Sequence, residues 1–429
     1  MGLLRLIPYL FLFISIQSYC DEVVAPSLSK FSIPNSIIAG IDVAIDGQYA
    51  AIGSSGKVYI YEEDATLGWT RTSTIMPPNE SNSFGFKVAL ENDILVVSDD
   101  EFGENDEGKI YIYQLNNSVW TLKYDLLGDT HPEYGFGDGL GYQIVINGGV
   151  IAASTEYGND IYILKENGPN YSHTKFTLPN DYDDVERDHF GGKLSLSNNL
   201  LAVTSTPSII DDSYQSHLGA CFVVDINNTD NIDRISTTDP MINGFCGSIA
   251  MTPDFLVTSS LDWYNTNQQI KLLSYEKGPT GEWVKSDELS LLCNNDCWIW
   301  DINVKNGIIA TSRFSISGQF TDNVIIEGSY AQLFSINSSG KINYLESLPY
   351  KVYSDEMNNS FGWNISNDGS NVIIGAPSSI NNITGSSPQG AFYLLAVSPR
   401  SFYVPAMGGI GLLALGLSML SLGAVRLRK

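Results

Sequence analysis

The chain has 429 residues, 48 of them acidic and 23 basic, for a formal net charge of −25. A surface this negative repels phosphate backbones and argues against a nucleic-acid partner. The 43 % apolar share is enough for a sizeable buried core and excludes wholesale disorder.

Residues 1–5 form a short basic start, and residues 6–16 (LIPYLFLFISI) form an apolar run too short to span a bilayer comfortably. Ser18 and Cys20 are small residues at −3 and −1 of a cut before Asp21. Residues 1–20 therefore read as a secretory signal peptide, with an uncleaved anchor as the alternative.

The body, residues 21–399, is built from an internal repeat. Each copy has an aromatic-glycine pair, a short alternating strand, an apolar strand, a loop and another alternating strand. Copies start near residues 40, 84, 140, 190, 245, 298 and 361. The clearest is Phe84-Gly85-Phe86-Lys87-Val88-Ala89, then Ile94-Leu95-Val96-Val97, then Gly108-Lys109-Ile110-Tyr111-Ile112-Tyr113. The last copy, Phe361-Gly362-Trp363 with Val372-Ile373-Ile374-Gly375-Ala376-Pro377 and Gly390-Ala391-Phe392-Tyr393-Leu394, follows it closely. In the first six copies the apolar strand starts nine residues after the glycine-equivalent position; the seventh has one residue more. A fourth, less regular strand ends in an aliphatic residue plus Pro over 69–77, 171–179 and 341–349, which suits an outer edge. Four strands per repeat and a spacing of roughly 45 to 63 residues predict an all-β, seven-bladed propeller with one blade per repeat.

The seventh copy lacks a fourth strand. Ser27-Leu28-Ser29-Lys30-Phe31-Ser32-Ile33-Pro34 matches Ser172-His173-Thr174-Lys175-Phe176-Thr177-Leu178-Pro179, the fourth strand of the third copy. Residues 27–33 are therefore predicted to complete blade 7 and close the ring, covering an otherwise open edge.

After the repeats, residues 406–425 carry no charge and are long enough to span a bilayer, and Arg426, Arg428 and Lys429 follow at once. Residues 404–425 read as a transmembrane helix, with 426–429 as a cytoplasmic basic tail and the body outside. With Val404-Pro405 before it, the tail resembles the tripartite C-terminal sorting signals of Gram-negative bacteria. That resemblance implies an anchor later removed by a processing enzyme; a permanent single-pass anchor would look much the same.

Beyond the signal, four cysteines remain: Cys221, Cys246, Cys293 and Cys297. An even count outside the cytoplasm permits two disulfides. Three pairings are possible, and proximity along the chain favours Cys221–Cys246 and Cys293–Cys297. A zinc site is the weaker alternative, because the spacing is poor and no His lies close in sequence.

The repeat resembles the FG-GAP repeats of integrin α-subunit heads, most clearly at Phe84-Gly85 and at Phe361-Gly362 with Gly375-Ala376-Pro377. The resemblance implies a cell-surface propeller that binds other proteins or glycans, often in adhesion. The chain departs from the pattern at its turns. Glu91-Asn92-Asp93, Asn147-Gly148-Gly149 and Ser197-Asn198-Asn199 are too short to supply the six or more oxygens calcium wants. No cofactor is expected: calcium stays possible, but the usual loops are absent, and no partnership with another integrin chain is carried over.

Signals of catalysis are thin. There are four His (His131, His173, His189 and His217), with no HExxH, no GxSxG and no phosphate-cradling glycine loop. The acidic stretch 181–189 around His189 reads as a solvated loop. The acidic loop 99–107 could hold a cation loosely, without a recognisable ligand spacing. The run Gly135-Phe136-Gly137-Asp138-Gly139-Leu140-Gly141 leads into a strand, so it has no helix N-terminus for phosphate and reads as a flexible connection. Sequons such as those at Asn79, Asn227 and Asn382 are expected by chance in so Asn- and Ser-rich a chain. Exposed aromatics are the better hint, and Trp263, Tyr264, Trp298 and Trp300 are the candidate binding residues.

These features point to a non-enzymatic binding or adhesion module of the cell envelope that engages an extracellular protein or glycan through propeller loops. The alternative is a propeller hydrolase or lyase acting on extracellular polysaccharide, with carboxylates from several blades converging on the channel.

Overall fold

The computed structural model describes residues 28–33, 36, 38–130, 135–157, 159–179, 182, 190–205, 219–237, 244–262, 269–292, 297–315, 330–348, 361–377 and 390–397. The signal segment 1–20 and the segment 404–429 lie outside the described residues. Among the described residues, no helix is long and apolar enough to cross a membrane.

The described strands form seven four-stranded antiparallel sheets. Blade 2 shows the plan. Its strands, from the axis outward, are Val88–Glu91, Ile94–Asp99, Lys109–Asn116 and Val119–Leu127. The second strand is buried on both faces because blades stack on either side of it, so its sequence is continuously apolar rather than alternating. The outer strand alternates between exposed and half-buried residues, as a surface strand must.

The innermost strands are Val43–Asp46, Val88–Glu91, Leu140–Asn147, Phe190–Ser197, Ile249–Met251, Cys297–Lys305 and Ile365–Asn367. Each touches the next, and the last touches the first, so the blades form a closed ring. The core follows this plan. Among the described residues it divides into seven clusters, each between two neighbouring blades. Ala44, Val58, Phe84, Val97 and Tyr111 join blades 1 and 2. Val43, Ile52, Ile373 and Phe392 join blades 1 and 7.

The aromatic-glycine pair has two separate jobs. Its aromatic ring is buried against an aromatic of the third strand of the same blade: Phe84 on Tyr111 at 5.3 Å, Phe190 on Phe222 at 5.6 Å and Phe361 on Tyr393 at 4.9 Å between centroids. Burial of such a ring contributes about 2–3 kcal/mol. Its glycine passes over the preceding blade. At Gly85, φ is +93°, and a Cβ would sit 2.7 Å from the carbonyl oxygens of Ser54 and Lys57 in blade 1. Only glycine fits without strain. In blade 5 this position is Cys246, held at φ +62° and joined by a disulfide to Cys221 of blade 4 with Cα atoms 5.5 Å apart. Cys293 lies outside the described residues, and with it the Cys293–Cys297 pairing.

The first strand, Ser29–Ile33, pairs antiparallel with Gly390–Ala396, in a register running from Ser29 opposite Leu394 to Ile33 opposite Gly390. It is the outermost strand of blade 7, the place its likeness to the fourth strand of the third copy assigned to it. Ile33 is buried, and Phe31 stacks on Phe392 with centroids 4.8 Å apart.

The glycine run before blade 3 corrects one expectation. It is no flexible connection. The amides of Gly137, Gly139 and Leu140 donate to the carbonyls of Asn105, Asp106 and Glu107, and that of Asp138 donates to Asp129. A Cβ on Gly137 would fall 2.1 Å from the Glu107 amide nitrogen. Gly137 is there because two backbones are clasped together, not because the segment is loose.

Candidate functional site at the channel mouth

The innermost strands surround an axial cavity of about 640 Å³. One residue per blade occupies the same register at its upper end: Asp42, Lys87, Gln143, Lys193, Ser248, Asp301 and Asn364. All but the fully buried Ser248 line the cavity. Two are acids and two are bases, so the ring is neutral within a strongly negative molecule.

The two acids hold blades together. Asp42 Oδ2 accepts from the Val88 amide of blade 2 at 2.7 Å, and its Oδ1 lies 3.7 Å from Lys87 Nζ. Asp301 Oδ2 accepts from the Ile365 amide of blade 7 at 3.4 Å, and its Oδ1 from the Ile302 amide at 3.1 Å. Burial pushes Asp42 up to about 6, against the opposing pull of Lys87 and the Val88 amide. Burial raises Asp301 as well, opposed mainly by Lys193.

Lys193 is different. Burial lowers its proton affinity, with Asp301 opposing. Its ammonium makes no ion pair among the described residues. It lies instead over the ring of Trp300, 5.4 Å from the centroid. Lys193 belongs to blade 4 and Trp300 to blade 6. The reach across is possible because blade 5 offers only Gly247 and Ser248 at this level.

The residues just before the charged ring form a collar. Phe86, Tyr142 and Trp363 are half-buried, and Trp300 is 39 % exposed. The Trp300 and Trp363 rings pair across blades 6 and 7 at 5.6 Å, inclined by 38°. Lys87 Nζ lies 5.2 Å from the Phe86 centroid. At blades 4 and 5 the collar carries no side chain among the described residues, since Gly192 and Gly247 stand there. On the side of blades 2 and 3 it meets an acidic flank. Asp100 is pushed up to about 7, by burial first and then by Glu101, Glu156 and Asp99. Tyr142 is raised by burial and by Glu156 and Asp100, with Lys87 opposing.

The opposite end of the channel is committed to structure. Asp46 accepts from the Asn92 amide at 2.7 Å, Glu91 from those of Gly148 and Gly149 at 2.9 and 3.0 Å, and Asn147 from that of Asn198 at 3.1 Å. These short turns stitch blade 1 to blade 2, blade 2 to blade 3 and blade 3 to blade 4.

Of the aromatic candidates, Trp300 stands at the mouth. Trp298 shares its strand, but its side chain lies outside the described residues, as do Trp263 and Tyr264. In the acidic loop, Asp99 accepts from the hydroxyls of Ser81, at 2.7 Å, and Ser83, and Glu107 accepts from the Asn105 side chain at 2.9 Å. Among the described residues, no group of three or more His, Cys, Asp or Glu is arranged to hold a metal ion. Reading one residue at a time missed Lys193, Trp363 and the two aspartates. Aligning the copies at the second residue past the glycine would have exposed Lys193, Asp42 and Asp301, as charged residues at the start of buried strands, and the position before it would have paired Trp363 with Trp300.

The sequence matches no family model and no curated protein. Among solved structures the chain is similar to a protein from Lactobacillus plantarum, at 12 % identity and a TM-score of 0.46 over 72 % of this chain and 84 % of that one. It is also similar to Hsv2 of Kluyvelomyces marxianus, at 14 % identity and 0.49 over 80 % and 90 %. A third is KlHsv2 with loop 6CD replaced by a Gly-Ser linker, at 13 % and 0.44 over 79 % and 89 %.

Proposed function

We propose that this chain is a surface-displayed, FG-GAP-like binding module that takes an extracellular glycan at the aromatic mouth of its propeller channel. In this reading, residues 1–20 export it and residues 404–425 tether or sort it at the membrane. The observation that carries the proposal is the Trp300–Trp363 pair, partly open to solvent beside the Lys193 ammonium. Indole faces suit the C–H faces of a sugar ring, and the polar ring below can fix its hydroxyls. A concave mouth fits a sugar unit better than a protein surface, which needs about 800 Å² on each partner.

Screening the purified protein on a panel of extracellular polysaccharides tests this. W300A and W363A should each weaken the best ligand by at least about tenfold, the loss expected of a binding hot spot. The melting temperature should stay nearly constant. Undiminished affinity in both variants would remove the mouth from consideration.

One observation favours a second reading. Asp42 and Asp301 face one channel, and the charge of Asp301 helps keep a proton on Asp42. Paired acids of this kind serve glycoside hydrolases. Polymer cleavage that D42N and D301N abolish, with binding retained, would select a hydrolase or lyase.

A further inference from the structure

We infer that the sugar unit seated at the channel mouth carries a carboxylate, as a uronic acid does, and that Lys193 is the group that pairs with it. The inference rests on the binding reading above and names the chemistry of its ligand.

Lys193 makes no direct ion pair among the described residues, and the carboxylate whose charge acts on it most is Asp301. Lys87 has Asp42 at 3.7 Å, and both aspartates are engaged by backbone amides. A buried cation held only by the field of a carboxylate, without a direct pair, gains from an anion placed in contact with it. The groups whose charges reach Lys193 are Asp301, Lys87 and Asp42. The carboxylate of Asp301 already accepts two amide hydrogens, so a ligand carboxylate would meet an ammonium still free to pair.

Lys193 lines the axial cavity of about 640 Å³. Lys193 lies over the Trp300 face, and Trp300 continues into Trp363. A pyranose ring resting on the indole pair would bring its exocyclic carboxylate toward Nζ. The acidic flank lies at blades 2 and 3, where burial and the charge of Glu101 raise the proton affinity of both Asp100 and Glu156. That flank and the net charge of −25 disfavour a dense polyanion. The ligand is therefore a chain with a terminal or widely spaced acid unit.

The test is a titration of the full-length protein with glucuronic acid, glucose and sodium acetate, read by tryptophan fluorescence and calorimetry. Glucuronic acid should bind at least ten times more tightly than glucose, and more tightly than acetate, with an affinity that falls as salt rises. K193M should erase the preference for the acid while glucose binding persists, and K193R should restore much of it. Equal binding of glucose and glucuronic acid by the unaltered protein would overturn the inference and leave the glycan reading standing. Acetate binding as tightly as glucuronic acid would also overturn it, because the sugar would then add nothing. Binding of neither sugar at millimolar concentration would overturn both. The comparison within the unaltered protein does not depend on how well any variant folds.

Discussion

Asp100 is nine-tenths buried, and the charges that most affect it, Glu101, Glu156 and Asp99, are all negative. Its folded-state value of about 7 lies above the ordinary 3.8. Between those two values the folded chain holds a proton that the unfolded chain has released. Stability attributable to this group therefore falls as pH rises from about 4 to 7, and the deficit is complete above 7. D100N keeps the neutral shape at every pH. It should stabilise the protein by about 2 kcal/mol at pH 8 and by nothing at pH 4, measured by thermal or urea unfolding. A gain that does not change with pH would show that the carboxylate is not held neutral. Cys246 illustrates a different local tension, a side chain at φ +62° where most copies have glycine. Replacing both cysteines by Ser should cost about 3 kcal/mol, given a closed loop of 25 residues. Combining C221S with C246G should cost about 1 kcal/mol less, because glycine relieves the backbone. Equal losses would mean that this conformation is unstrained.

At the scale of elements, the first strand is the part most exposed to test. Phe31 bridges blade 7 and blade 1, stacking on Phe392 and meeting the edge of Tyr61 at 6.0 Å. F31A should lower stability by about 2–3 kcal/mol. Deleting residues 28–33 should lower the melting temperature sharply and leave the strand Gly390–Ala396 as an open edge that promotes self-association. An unchanged melting temperature and a monomeric sedimentation profile would contradict the closure. This strand was legible in the sequence because it repeats, nearly residue for residue, a fourth strand found elsewhere in the chain. The blade frame was legible for a similar reason: the aromatic-glycine pair and the apolar strand keep their spacing in copy after copy. The mouth was not. Lys193 lies inside a strand segment and gives no local sign of function, and its neighbour Trp300 comes from two blades further on. Trp300 itself was found because the run Trp298-Ile299-Trp300 lies in or beside a loop, where aromatic residues suggest binding. The glycine run at 135–141 was misread because composition alone cannot distinguish a loose backbone from one pressed against another.

The whole molecule is a ring of seven small cores rather than one large one. Each core needs both of its blades, so stability is shared around the circle and depends on the last contact being made. That contact joins Ile33, near one end of the described chain, to Gly390, near the other. During synthesis the two partners do not exist at the same time. At ~5–20 residues per second, the ~360 residues between them separate their appearance by about 20–70 s. For that interval the opening strand must wait without finding a wrong partner. Ser29, Lys30 and Ser32 leave only Phe31 and Ile33 as apolar residues in it, a composition that keeps a waiting strand in water. Blades 1 to 6 can stack in the order in which they emerge, but the circle locks only at the end. The timing of the final residues thus sets the moment at which the channel mouth, built from blades on both sides of that seam, first exists as a site.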